Sequence, residues 1–202
     1  MPRGVARVAA LAIGCACAGA SHAQEAAASA AAGLRAYRLD PAHTFVTFEV
    51  RHFGTSTLRG RIGPFSGDLQ FDRTARKGDL RLRIPMGTLD TGFAPLDARL
   101  KAPDLLATTE YPEAYFLATQ FRFDAAGAVS EVRGEFILRG VSQPLSLFAR
   151  RFACRDDDSL KREVCGGDFE GDLKRSDFGA TYGEPFVADD VHLVIQVEAV
   201  AG

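Results

Sequence analysis

The sequence TFVTFEVRHFGTSTLRGRIGPFSGDLQF, which spans Thr44–Phe71, alternates between apolar and polar side chains in two runs. A period of two is that of a β-strand with one buried face, because successive side chains of a strand point to opposite sides of the sheet. The apolar face carries Val46, Phe48, Val50 and His52 in the first run, and Phe65, Gly67, Leu69 and Phe71 in the second. Gly54 and the polar residues after it supply a turn. The stretch therefore predicts two neighbouring antiparallel strands.

The same pattern continues to the C-terminus. Gly78–Met86 and Val191–Ala199 both alternate, whereas Pro95–Leu106 has a helical spacing that predicts one or two short helical turns, interrupted at Pro103. A change of the apolar face before Phe121 indicates a β-bulge. About eight main strands at short, regular spacing are typical of an antiparallel β-barrel. We therefore expect an all-β barrel with one short helical insertion.

Composition excludes several classes of protein. The chain has 202 residues, of which 47% are apolar, so it is long enough for one domain with a sizeable core. It contains 24 basic and 26 acidic residues, a balance that argues against nucleic acid as a partner. Fifteen Phe and no Trp supply apolar volume without polar groups to satisfy. Such an inventory suits a dry core and a dry cavity equally well.

The N-terminal sequence MPRGVARVAALAIGCACAGASHA, residues 1–23, is typical of a secretory signal peptide, with early arginines, an apolar run and a small-x-small cleavage site. We expect cleavage after Ala23 and a periplasmic location. Lipidation at Cys15 or Cys17 is a weaker alternative. Residues 24–36 are alanine-rich and predict a flexible mature N-terminus, followed by the barrel domain over residues 37–202.

Cleavage would leave Cys154 and Cys165 as the only cysteines. In an exported protein such a pair predicts a disulfide. The polar segment between them, RDDDSLKREV, would form a hairpin, and the bond would contribute about 2–3 kcal/mol in the chain-entropy account. The spacing is too wide for a C-x-x-C redox pair, and no histidines lie nearby at zinc spacing.

Motifs for catalysis and for metal binding are absent from the sequence. His43, His52 and His192 are isolated from one another, and no G-x-S-x-G or phosphate-binding loop occurs. We therefore expect no enzyme activity, no cofactor and no metal. His52 is the residue of interest among the three, because it continues the apolar face of its strand.

The interior of an eight-stranded barrel is either a solid core or a ligand cavity, and side-chain parity alone leaves both open. Gly60, Gly67, Gly134 and Gly171 fall within predicted strands. Glycine weakens a strand but leaves space beside it. Space next to Phe, Leu and Val favours a cavity for a long hydrocarbon.

Six segments, in this order, resemble those of the YceI-like family: YRLDPAHTFVTFEVRH, GPFSGDLQFD, LDTG with LDARLKAPDLL, EYPEAYF, VRGEFILRGVSQPL and KRSDFG. Each is weak alone, but together they cover nearly the whole chain after Tyr37. The resemblance implies a lipocalin-like barrel around an elongated apolar channel that holds an isoprenoid, such as a quinone tail or a polyprenyl phosphate. It implies no catalytic residue. The Cys154–Cys165 hairpin is an addition to the family pattern that would alter the channel mouth.

Strand parity then assigns the channel wall to Phe48, Val50, His52, Phe65, Leu69, Phe71, Leu82, Ile84, Phe116, Phe136, Leu138, Leu147, Leu193 and Ile195. His52 is a candidate to bond a quinone or alcohol head group. Arg175 is either a contact for a phosphate or, equally, a surface residue.

We expect a secreted carrier of an isoprenoid or related lipid. Transient contact with a membrane or with a quinone-dependent enzyme is compatible with that role, and the oligomeric state stays open, a dimer included. The alternative is a stress-protective or protein-interaction module with a solid core, no ligand, and function on its loops. A third reading, an enzyme for an apolar substrate, would rest on His52 alone.

Overall fold

The computed structural model describes Met1 and residues 33–202. The expected signal peptide and most of the expected flexible segment lie outside the described residues. The first strand begins at Arg35, slightly before the expected start at Tyr37.

Ten strands, one α-helix and two short 3-10 helices make up the described chain. The strands are β1 (Arg35–Leu39), β2 (Phe45–His52), β3 (Ser56–Ile62), β4 (Ser66–Asp72), β5 (Lys77–Pro85), β6 (Glu113–Phe123), β7 (Val129–Leu138), β8 (Val141–Asp157), β9 (Arg162–Lys174) and β10 (Val187–Ala201). The helix α1 covers Ala94–Leu100, and the 3-10 helices cover Met86–Thr88 and Arg175–Phe178.

All strand pairs are antiparallel, and the sheet closes into a barrel. β10 pairs with β9 on one side and, on the other, with β1 and β2 one after the other. β1 in turn pairs with β4, and β2 with β3. The segments β1–β2 and β3–β4 are thus two long strands, each interrupted by a turn. Counted this way the barrel has eight strands, which confirms the expected fold class.

Alternation of side chains produces this closure. In β2 the buried side chains are Val46, Phe48 and Val50, while their neighbours face outward. The expected bulge is present, because the β6–β7 register shifts between Ala118 and Gln120. Each inward side chain removes apolar surface from water, which is worth about 25 cal/mol per Å².

α1 belongs to the long connection between β5 and β6, residues 86–112, which we call the cap. Pro95 lies in the first turn of the helix, where its missing N–H costs nothing. The Asp97 carboxylate accepts hydrogen bonds from the backbone N–H and the hydroxyl of Thr91, at 2.8 and 2.6 Å. The second helical turn that Pro103 suggested does not form, and the chain continues in turns instead. No helix among the described residues is long and apolar enough to cross a bilayer.

The two ends of the barrel differ. At one end lie the cap, the β2–β3 turn, the β7–β8 turn and the loop of residues 179–186, and we call this the α1 end. At the other, the disulfide end, the β8–β9 hairpin carries the Cys154–Cys165 bond, with an S–S distance of 2.02 Å. The two cysteines are direct partners in the ladder, so the expected disulfide is present.

Candidate functional site

An apolar cavity of about 170 Å³ occupies the half of the barrel nearest the α1 end. It is enclosed by inward side chains of the strands and, at the α1 end, by side chains of the cap. Its wall includes these predicted residues: Phe48, Val50, Phe65, Leu82, Ile84, Phe116, Phe136, Leu138, Leu147, Leu193 and Ile195. The barrel interior is therefore not solid.

A second void of about 70 Å³ lies further towards the disulfide end. It shares Phe65, Leu82, Leu147 and Ile195 with the first cavity, and the predicted residue Leu69 is part of its wall. The two voids are thus neighbours along the barrel interior. They mark the direction in which an elongated ligand would lie.

Two residues predicted to line the channel lie elsewhere. Phe71 is buried among aromatic rings, with ring centroids 5.9–6.1 Å from Phe152, Phe121 and Phe123. It points inward, as parity predicted, but it fills the floor of the barrel rather than facing a void. His52 is the last residue of β2 and is half-buried, with its ring 4.7 Å from that of Phe53. β2 ends at this point, and His52 is not among the residues that line the cavity, so its contact with a head group stays a prediction.

Sequence reasoning missed the part of the wall that the cap contributes. Met86, Leu89, Leu100, Leu105 and Leu106 all line the cavity. The helical spacing of Pro95–Leu106 was visible, but parity along strands cannot say which side chains of an irregular segment turn inward. The disulfide hairpin, by contrast, lies at the opposite end, so it does not shape the mouth of the cavity as expected.

Arg175 is the one ionisable residue among the described residues that line the cavity. It is 8% exposed, and its guanidinium donates to backbone carbonyls of the loop of residues 179–186 and of the first two residues of β10. Nε bonds Ala188 O at 2.8 Å, Nη2 bonds Val187 O at 2.8 Å, and Nη1 bonds the carbonyls of Tyr182 and Ala180. Because these donors are already used, the structure gives Arg175 the role of holding the loop of residues 179–186, not that of a free phosphate ligand.

Arg139 links that loop to the cap. It lies in the β7–β8 turn with φ 52°, a left-handed conformation that is uncommon outside glycine. Its Nη2 donates to Pro103 O at 3.2 Å, and its Nη1 donates to Gly179 O. Its Nε is buried and has no hydrogen-bond partner. Two arginines thus fasten the two segments that close the α1 end.

The cap carries an ion pair of its own. Arg99 donates through both terminal nitrogens to the Asp104 carboxylate, at 2.6 and 2.7 Å. This pairing raises the pKa of Arg99 and lowers that of Asp104. The guanidinium also lies 3.7 Å from the centre of the Tyr182 ring, which connects the cap to the loop of residues 179–186 a second time.

Outside the cavity, ligand atoms of Asp40, His43 and Glu198 lie within 4.8 Å of one another. The isolation of His43 in the sequence was therefore misleading, since the fold brings Glu198 from the last strand. His43 Nδ1 and Asp40 Oδ2 are 2.7 Å apart, and this bond raises the pKa of His43 and lowers that of Asp40. The geometry is that of a surface ion pair.

Comparisons with known proteins agree with the motif pattern. The family model described as "YceI-like domain" matches residues 37–199. The chain belongs to the YceI-like family. Protein YceI of Shigella flexneri is 32% identical over 167 residues, which cover 81% of this chain and 86% of the relative. A UPF0312 protein of Pectobacterium carotovorum is 32% identical over 177 residues, or 86% of this chain and 91% of the relative.

Solved structures show the same YceI-like fold. BcnA of Burkholderia cenocepacia superposes with a TM-score of 0.65 at 20% identity, covering 79% of this chain and 98% of that chain. A polyisoprenoid binding domain from Saccharophagus degradans superposes with a TM-score of 0.57 at 18% identity, covering 83% of this chain and 99% of that chain.

Proposed function

We propose that this protein is a periplasmic carrier that holds a long apolar lipid of the isoprenoid class inside its barrel. The observation that carries the proposal is the cavity, whose wall is apolar except for Arg175. The polyisoprenoid binding domain of Saccharophagus degradans, which has the same fold, supports the ligand class.

Burial supplies the affinity for such a ligand. Each methylene moved from water into an apolar interior is worth about 0.8 kcal/mol, so a long hydrocarbon needs few polar contacts to bind. Arg175 has its donors on backbone carbonyls, and the remaining wall offers no acid or base. Binding, not catalysis, is the chemistry that such a wall supports.

The size of the cavity adds a condition. About 170 Å³ is close to the engineered cavity of about 150 Å³ that accepts benzene, and it is below the roughly 300–1,000 Å³ typical of small-molecule sites. A long chain therefore needs more room than this cavity contains. The cap is where room can be made, because Leu100 and Leu106 are only half-buried. We infer that the loaded form has these side chains displaced outward.

Two neighbouring residues of β10 give a matched test. Leu193 lines the cavity, whereas Val194 faces outward and is 37% exposed. Leu193→Trp would fill the cavity, and Val194→Trp adds the same ring outside. Organic extracts of each protein, purified from a bacterial periplasm, would be analysed by mass spectrometry for bound lipid.

We expect a long-chain isoprenoid in wild type and Val194→Trp, with bound lipid reduced about tenfold or more in Leu193→Trp, because the ring removes space for several methylenes. Absence of lipid from the wild type, or equal lipid in the two Trp variants, would contradict the proposal.

A further inference from the structure

The most exposed large apolar side chains of residues 33–202 share one location. Phe53, Phe93, Tyr182 and Phe186 are 57–62% exposed, are all aromatic, and all lie on connections at the α1 end. We call these four residues the aromatic rim. The disulfide end has no aromatic side chain of this exposure among the described residues. Exposed aromatic groups concentrated on one end mark a contact surface rather than scattered surface residues.

The rim is built by the backbone, not left over from the core. Phe53 occupies the β2–β3 turn with φ 50°, an uncommon conformation for a bulky residue. Its N–H donates to Phe186 O at 2.7 Å, and the two rings stack with centroids 5.5 Å apart. Tyr182 is held under Arg99, and Phe93 is the N-cap residue of α1. The stacked rings of Phe53 and Phe186 nevertheless remain exposed to solvent.

The arrangement fits a bilayer better than a protein partner. A stable protein interface buries about 800 Å² of continuous surface on each side. The rim instead consists of the stacked pair Phe53 and Phe186 and two further aromatic side chains, on three connections. Amphipathic and aromatic side chains of this kind are common at the interfacial zone of a membrane.

Charge defines the kind of bilayer. Lys101 and Arg99 are accompanied on the cap by Asp97 and Asp104, and Lys174 is paired with Asp190 at 2.8 Å. Arg51 and Arg139 also lie at this end. Within residues 33–202, basic and acidic side chains are thus interspersed at the α1 end, unlike the runs of basic residues that attract anionic lipids. Its attraction to a membrane would be apolar and nearly independent of salt.

We propose that the aromatic rim docks this protein onto a phospholipid bilayer surface, with the α1 end facing the lipid. The inference deepens the proposed function and rests on it for its purpose, because the cavity lies behind the rim and the Phe71 cluster fills the barrel interior at the other end. An apolar chain leaving the bilayer would then reach the cavity without crossing water.

Flotation with vesicles of pure phosphatidylcholine tests the docking. The rim variant is Phe53→Asn, Phe93→Ser and Phe186→Ser combined, with Asn at position 53 because it tolerates a left-handed backbone. The matched control is Phe148→Ser on the outer wall of β8, where the ring is 53% exposed. All proteins carry the same N-terminus, so residues before Gly33 contribute equally. Circular dichroism and thermal unfolding verify that each variant folds.

We expect wild type and Phe148→Ser to float with the vesicles at both 0.05 and 0.5 M NaCl, at about equal levels. The rim variant should bind about tenfold less. The proposal is overturned if the wild type does not float, if the rim variant floats like the wild type, or if Phe148→Ser loses as much.

Extracts of the same preparations separate this inference from the proposed function. Wild type that floats through its rim but never contains lipid keeps the docking and removes the carrier role. Wild type that contains lipid but does not float would support the carrier role and overturn the docking.

Discussion

The two ends of the barrel use the same kinds of side chain for opposite purposes. Towards the disulfide end, Phe71 packs against Phe121, Phe123 and Phe152, and the void next to this cluster is about 70 Å³. At the α1 end, Phe136 faces the cavity, and four further aromatic residues stand in solvent. The disulfide end is packed with aromatic rings, whereas the α1 end leaves a larger space under the cap. The larger void and the exposed aromatic residues lie at the same end, which is the basis for the proposed entry of a ligand there.

The largest expected effect comes from removing one Phe from each end, which tests whether the two ends are packed differently. Phe71 is 2% exposed and contacts four rings, so Phe71→Ala should cost about 3–5 kcal/mol of unfolding free energy. Phe136 is half-buried and already borders a void, so Phe136→Ala should cost about 1–2 kcal/mol less than that. Urea unfolding measures both. Equal losses would mean that the α1 end is packed as tightly as the other.

The next effect comes from the disulfide. Cys154 and Cys165 close a loop with a sequence separation of 11, and replacing both by Ser should cost about 2–3 kcal/mol. Because the bond lies at the end away from the cavity, bound lipid should stay unchanged. Thermal unfolding and mass spectrometry of extracts give the two readouts. Loss of lipid without loss of fold would place the hairpin in lipid binding and would contradict its separation from the cavity.

A smaller effect is expected from Arg139. Its guanidinium joins Pro103 of the cap to Gly179, so Arg139→Gly should free both segments, while glycine accepts the left-handed backbone without strain. We expect a stability loss of about 1 kcal/mol and faster hydrogen exchange in residues 100–108 and 179–186. Exchange in the β8–β9 hairpin is the internal control and should not change. Faster exchange at both ends would show general destabilisation instead of release of the cap.

How much of the fold and of the cavity wall can be predicted from the sequence depends on the kind of segment. Strand parity found the barrel and most of the cavity wall, because the period of two transfers directly from sequence to face. Parity does not indicate that β2 ends at His52, or that rings from β6 and β8 surround the inward side chain of Phe71. It could not find Arg175 as a loop fastener, since that role depends on four carbonyls that only the folded loop assembles. The aromatic rim could not be predicted either, because its residues come from three connections that only the folded barrel brings to one end.

The smallest effect concerns the turn between β1 and β2. This turn connects β1, which pairs with β4, to β2, which pairs with β3 and extends to the α1 end. His43 has a raised pKa because of its bond to Asp40, so its contribution to stability is full below pH 6.5, the ordinary value for histidine, and declines as the pH rises through its folded pKa. Asp40 has a lowered pKa, so its contribution is full above pH 3.8 and is lost as the pH falls through its folded value.

The stability difference between wild type and His43→Asn should therefore be largest between these two pH values and shrink on either side. Both groups are solvent-exposed, so the effect is small. Urea unfolding at a series of pH values measures it, with His52→Asn as the control for a histidine whose ring packs against that of Phe53. A His43→Asn difference that does not change with pH would mean that the turn is held by its backbone bonds, such as Asp40 N–H to Glu198 O at 2.9 Å, and not by the ion pair.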